Sequence, residues 1–399
     1  MVLALVAAAL LVRLIVVAQV QGHPLLRPSG VLDDAVYVQL AQRAASGDWA
    51  LGPGAYYVSP LYAYFLAVLF RLGLAVVHAQ VVQAVLGAVA VLLVAKTAAR
   101  LYGRVAARVS AALGAACGVI VSNEALVLQS ALDPFLAALA LERLSAALEH
   151  SARPRWLAAG GAFALLGLNR PNAFLAAAAV AALLPLLLRT RRALVSALLL
   201  AAGVAIVLAP VAVRNRVVAG EWILVTSHGG LNFWIGNSAS ADGTYQAPPG
   251  ITPSIEGQSR DMRRIAEAAA GRALTDAEVS SHFYGLGWQW IREHPGASAR
   301  LFARKLAYTL HRTEVPLNYS YAYWSREEPT LLRVLPVGAW LLVPLGLAGL
   351  FVERRMEGRA FAVWAAFLPA YALSVAAFFV AWRYRLPLLT ALCVLAGGA

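Results

Sequence analysis

Cysteine is nearly absent: the 399 residues contain two, Cys117 and Cys393, and both lie inside apolar runs. That argues against a disulfide framework or a thiolate metal centre and leaves each as a small buried hydrophobe. Charge is scarce too, at 13% of residues against 61% hydrophobic, where a soluble domain is about half apolar. A mean hydropathy of +0.69, with apolar runs of spanning length along the whole chain, excludes an ordinary soluble domain. Also missing are a P-loop, a dinucleotide fingerprint and any zinc-ligand spacing. His228, His282, His294 and His311 are scattered, so a soluble nucleotide donor has no support. The run Met1 to Val20 lacks a basic leading region and a small-residue cleavage site, which predicts an uncleaved first span.

What is present is helix built for lipid. Segments such as "VVQAVLGAVAVLLVAKTAAR" and "AALLPLLLRT" are continuously apolar and rich in Ala and Leu, with none of the alternation of a membrane strand. Spans are expected near 1–20, 75–96, 105–121, 132–148, 156–168, 173–188, 193–213, 335–352, 360–382 and from Leu386 onward, about ten crossings in an all-α polytopic membrane protein. The last run stops at Ala399 short of a full span, which suggests either that more chain exists or that the start and end are not the native ones. Basic clusters fall at every second turn: Lys96, Arg100, Arg104 and Arg108; Arg153 and Arg155; Arg189, Arg191 and Arg192; Arg354, Arg355 and Arg359. Those turns face the cytoplasm, and the net charge of +13 therefore reads as topology rather than as a nucleic-acid surface. The division that results is a transmembrane module over 1–213 with an extracytoplasmic loop at 21–74, an extracytoplasmic loop domain over 214–334, and C-terminal spans over 335–399.

The first loop places two adjacent carboxylates, Asp33 and Asp34, where the chain leaves the membrane. Either can cap a helix through "DAVYVQLAQRAA" with Tyr37, Leu40, Ala41 and Ala44 on one face and Ser46–Gly47 as its end. A second piece, "SPLYAYFLAVLFRLG", has Ser59 as cap, Pro60 as first helical residue and Gly73 as stop. It is too short to cross and reads as an interfacial helix. In the long loop, Thr275 with Asp276 and Glu278 suits a helix start.

"LDDAVYVQLA", "SPLYAYFLAVLFRLG", "GLNRPNAFLAA", "RNRVVAGEWILVTSHGGLNFWIGNSASADGTY" and "WRYRLPLL", in that order, resemble the bacterial branch of the protein O-mannosyltransferase and lipid A aminoarabinose transferase group, membrane glycosyltransferases of the GT-C fold. The resemblance implies transfer of a sugar from a polyprenyl phosphate to a hydroxyl on the outer side of the membrane, with inversion. It also implies a catalytic Asp in an Asp-Glu pair followed by an aromatic. Aligning that aromatic with Tyr37 puts Asp33 at the base position and Asp34 at that of the Glu. The lipid A enzyme has Arg before the aromatic and Lys ahead of the interfacial helix, where this chain has Val36 and Ser59. Phosphate contacts are therefore expected elsewhere, with an acceptor other than lipid A.

The chemistry of the residues agrees. A carboxylate partly buried beside a second one becomes a better base, and a phosphate leaving group needs cations rather than a proton. Arg383 and Arg385 at the outer end of a span, Arg13 inside the first span and Arg170 in "NRPN" are the candidate donor contacts, with Tyr37. Glu124 and Asp133 are weaker candidates for touching the acceptor or a metal; a divalent ion is compatible with the carboxylates but not required by their spacing. The expected partners are a membrane lipid donor and a protein, lipid or polysaccharide acceptor, with the enzyme in a bacterial inner membrane and its site facing the periplasm. The alternative is a transporter or flippase of lipid-linked sugars, which would show pseudo-repeats and broken spans at the midplane rather than polar groups gathered at one surface.

Overall fold

The computed structural model describes residues 1–26, 28 and 32–399. Among these the regular structure is helical, apart from two isolated bridges, Cys117 to Val337 and Leu317 to Tyr319. The N-terminal half runs α1 (Val2–Val20), α2 (Asp33–Ala45), α3 (Pro60–Arg71), α4 (Val76–Leu101), α5 (Arg104–Ala115), α6 (Gly118–Glu124), α7 (Asp133–Glu149), α8 (Arg153–Asn169), α9 (Ala173–Leu188) and α10 (Arg191–Ala219). Then follow α11 (Gly229–Gly236), α12 (Ile255–Ala270), α13 (Asp276–Glu293), α14 (Pro295–Leu310), α15 (Tyr321–Arg326), α16 (Ala339–Gly349), α17 (Gly358–Ala365), α18 (Phe367–Ala376) and α19 (Leu386–Ala396).

Helix occupies every apolar run expected to cross. Four stretches are long and apolar enough to do so outright: α1, α4, α10, and α17 with α18 as one unit over Gly358–Ala376. The remaining runs form shorter helices, and the one expected over 105–121 is split at Ala116 and Cys117 into α5 and α6. α1 and α10 stand at the periphery with Leu3, Leu11, Leu198, Ile206 and Val217 exposed, a lipid-facing surface. Every residue of α19 is buried, as an all-round apolar "LPLLTALCVLA" requires. α8 meets α10 closely enough that a Cβ on Gly203 would overlap the Leu157 carbonyl oxygen, and one on Gly160 the Leu200 carbonyl oxygen. Small residues permit such backbone approach in lipid, where apolar burial alone does not drive helices together.

The ends of the bundle differ in chemistry. α8 begins beside Arg153 and Arg155 and ends about 25 Å away at Arg170, by its rise of about 1.5 Å per residue. At the basic end Arg100 bridges Glu142 and Glu149 at 2.7 and 3.0 Å. At the other end α2 and α3 pack on the main bundle core through Tyr37, Ala41, Tyr62 and Leu66, and the helices α11 to α13 gather around a second core of Leu231, Ile235, Met262, Val279 and Phe283. The expected start of α13 is present as a capping box, with Thr275 accepting from Glu278 N at 3.3 Å and donating its own N–H to the Glu278 carboxylate at 2.9 Å. α2 is different: Leu32 is its N-cap, and Asp33 and Asp34 occupy the first turn without capping it, where the exposed N–H groups favour acids.

Gly203→Leu is expected to lower stability by about 1–3 kcal/mol or more through overpacking at the α8–α10 crossing. Thermal unfolding in detergent measures this; an unchanged midpoint contradicts the close approach.

Candidate active site

Consecutive helical residues point about 100° apart, so the first turn of α2 sends its two carboxylates different ways. Asp34 turns inward and is fully buried, accepting a hydrogen bond from Tyr319 Oη at 2.8 Å. Burial pushes its carboxyl above the usual range, with the Tyr319 bond opposing. Asp33 turns outward, partly exposed, and its Oδ2 accepts from Arg383 Nη2 at 2.8 Å. One turn on, Tyr37 is buried edge-on against Tyr62 at 5.2 Å and donates to Gln129, while Tyr62 donates to Gln83 of α4 at 2.7 Å. These bonds fix α2 to the bundle.

Arg383 sits in the tight turn Trp382–Arg385 between α18 and α19, held by Trp382 N to Val315 O at 2.9 Å. Arg170 ends α8 because Pro171 drives the residue before it into extended conformation, here φ −132° and ψ 96°. Its Nε donates to Asp133 Oδ2 at 2.6 Å, and Asn169 donates to the other oxygen at 2.6 Å. The Tyr384 ring lies 4.8 Å from the Arg170 guanidinium and 5.5 Å from that of Arg383. Arg170 Nη2 and Arg383 Nε are both buried and without a partner among the described residues.

Asp33, Tyr37, Arg170 and Arg383 line one cavity of about 480 Å³. Leu175 of α9, Val375 of α18 and Phe378 form an apolar flank, and Leu175 is also exposed on the outside, so this flank adjoins the lipid-facing surface. Sequence reasoning did not anticipate the opposite wall, formed by Tyr57, His228, Asn232, Tyr245 and Gln258. Tyr57 is positioned by the end of α10: Arg214 donates to Gly52 O at 2.7 Å and stacks 4.1 Å from the Tyr56 ring, and Asn215 accepts from Tyr56 N at 3.2 Å. The available signal was "SHGGLN", which carries His228 and Asn232.

The other candidates lie outside this lining. Arg385 points away and clips 309–314 through Thr309 O at 3.0 Å, Thr313 O at 3.1 Å and Glu314 at 3.2 Å. Arg13 neither snorkels nor reaches the cavity; it is buried against Glu124 at 2.7 Å and donates to Ala9 O at 3.2 Å. Glu124 and Asp133 are thus each committed to an arginine and sealed from solvent. Asp34 is a buried support beneath Asp33. Among the described residues no three His, Cys, Asp or Glu side chains gather as metal ligands.

The class follows from this architecture: the fold is GT-C, the membrane-glycosyltransferase fold. The chain superposes on the apo oligosaccharyltransferase of Archaeoglobus fulgidus with a TM-score of 0.56 at 14% identity, over 99% of this chain and 50% of that one. It matches the same enzyme in complex with zinc and sulfate equally, at 0.56 and 14% over 98% and 48%. The chain thus spans about half the length of that oligosaccharyltransferase. ArnT from Cupriavidus metallidurans bound to undecaprenyl phosphate gives 0.44 at 14% over 99% and 76%, too low to carry a conclusion. Residues 57–214 match the family model described as dolichyl-phosphate-mannose-protein mannosyltransferase, which bears out the resemblance read from the motifs. That segment contains Asp133 and Arg170 and leaves Asp33 and Arg383 outside it. No curated protein matches the chain in sequence.

Burial holds the His228 imidazole neutral, its pKa pushed down to about 4, with the Gln258 hydrogen bond and the Asp33 charge opposing. Unfolded histidine protonates near pH ~6.5. Its stabilising contribution is therefore complete above that pH and lost as pH falls toward 4, because only the unfolded state gains the proton. The melting temperature is expected to drop between pH 7 and 5, and less steeply in His228→Gln; identical slopes contradict the assignment.

Proposed function

We propose that the protein is an inverting glycosyltransferase that moves a sugar from a polyprenyl-phosphate donor to a hydroxyl of an acceptor on the outer, periplasmic face of a bacterial inner membrane. The observation that carries this reading is the pair of buried guanidinium nitrogens, Arg383 Nε and Arg170 Nη2, that have no partner in a cavity also holding Asp33. Each cation is balanced by one carboxylate yet keeps a donor in reserve, the arrangement an incoming phosphate requires. The apolar flank of Leu175, Val375 and Phe378 offers the isoprenoid a path from the lipid. The basic clusters at the far end of α8 support the outward orientation.

In the reaction, the acceptor oxygen forms a bond to the anomeric carbon as the bond from that carbon to the phosphate oxygen breaks. The electron pair of the broken bond leaves with polyprenyl phosphate, whose added charge Arg383 and Arg170 stabilise. The acceptor proton passes to Asp33, which Arg383 holds in position through Oδ2. Tyr37 packs beneath Asp33 and orients α2. The acceptor class, whether protein, lipid or polysaccharide, is left to experiment.

Asp33→Asn in nanodiscs is expected to reduce release of polyprenyl phosphate from a short-chain polyprenyl-phosphate sugar by at least about 100-fold, in a protein that still unfolds cooperatively at a melting temperature lowered by loss of the Arg383 ion pair. A fully active Asp33→Asn protein contradicts the base assignment. Transbilayer movement of the lipid-linked sugar in vesicles without any release of lipid phosphate points instead to a transporter.

A further inference from the structure

Among the described residues, and away from Asp33, Arg170 and Arg383, the cavity wall carries no ionised side chain. Its polar groups are organised before any ligand arrives. Gln258 joins His228 Nε2 at 2.8 Å and donates to Tyr245 Oη at 2.9 Å, and the Tyr57 ring stacks on the His228 ring with centroids 4.5 Å apart. Two atoms on this wall stand out: the Tyr57 hydroxyl and Asn318 Nδ2 are buried and have no partner among the described residues. Unpaired buried polar atoms cost stability, so their retention in a ligand cavity indicates that a ligand completes them. A chain of neutral donors and acceptors beside a stacked aromatic face suits the hydroxyl groups and the C–H face of a sugar ring.

We infer that Tyr57, His228, Gln258 and Asn318 form the subsite that reads the hydroxyls of the transferred sugar, and that it selects a sugar with no ionised substituent. The inference rests on the donor site proposed above. An ammonium group on the ring would be desolvated against neutral partners and set near two guanidiniums, and Asp33 is already engaged by Arg383. A site built to bond hydroxyls discriminates sharply against analogues that leave its buried groups unpaired.

The test measures binding to the full-length protein in nanodiscs of sugar-free short-chain polyprenyl phosphate. Alongside it are measured the same lipid carrying glucose, mannose or galactose, and the 2-amino analogue of each. The wild type is expected to bind its preferred neutral sugar lipid at least about tenfold more tightly than the amino analogue. Tyr57→Phe removes a hydroxyl that bonds to no other residue, so the fold loses no hydrogen bond. It is expected to weaken the neutral sugar lipid about threefold to tenfold and leave the sugar-free lipid unchanged. Gln258→Leu is expected to act in the same direction and more strongly. Equal or tighter binding of the amino analogue overturns the selection, and unchanged sugar-lipid binding in Tyr57→Phe overturns the subsite. If the sugar-free lipid fails to bind the wild type, the phosphate site itself is wrong and the subsite falls with it.

Discussion

Two arginines buried where the bundle meets water set the terms for everything around them. A guanidinium has five donors and a charge that must be matched, and removing it from water without a partner is prohibitive. Asp133 and Asn169 answer Arg170; Asp33 answers Arg383. Neither set of partners uses all the donors, and the two arginines line the same cavity. The break of α8 at Pro171, the entry of α2 in the first turn after the loop, and the turn between α18 and α19 are the backbone features that bring these four charges together.

The surroundings divide by solvent. Below the cations the helices are mainly apolar, with Arg13 and Glu124 paired inside, and α1 and α10 present Leu, Ile and Val to lipid. Above them, helices α11 to α13 have their own small core and close the cavity with neutral polar side chains. On the proposed reading a lipid-linked anion reaches the site from the side, past Leu175, and the acceptor comes from the water side. The charges stand at the level where both can meet.

Much of this was legible in the sequence because hydropathy and charge act locally. Runs of apolar residues gave helices, basic clusters marked one end of the bundle, and "NRPN" and "LDDAVY" placed Arg170 and Asp33 at the other. What was not legible depended on direction or distance. Arg383 and Arg385 are equivalent in sequence, yet two residues apart in a tight turn they point to different sides, one into the cavity and one onto the Thr309 to Glu314 segment. Arg13 finds Glu124 only through the packing of α1 on α6, which no local pattern encodes. Tyr57 and His228 lie in irregular segments, where there is no periodicity to read, and Gln258 of α12 meets His228 only through tertiary packing.

The central claim is that the reserved donors on Arg170 and Arg383 bind a lipid-linked phosphate. The most direct test is the 31P NMR titration of short-chain polyprenyl phosphate into the protein in nanodiscs, compared with Arg383→Gln. Saturable binding in the wild type, weakened at least about tenfold in a variant that still unfolds cooperatively, is the predicted result. The same affinity in both proteins contradicts it.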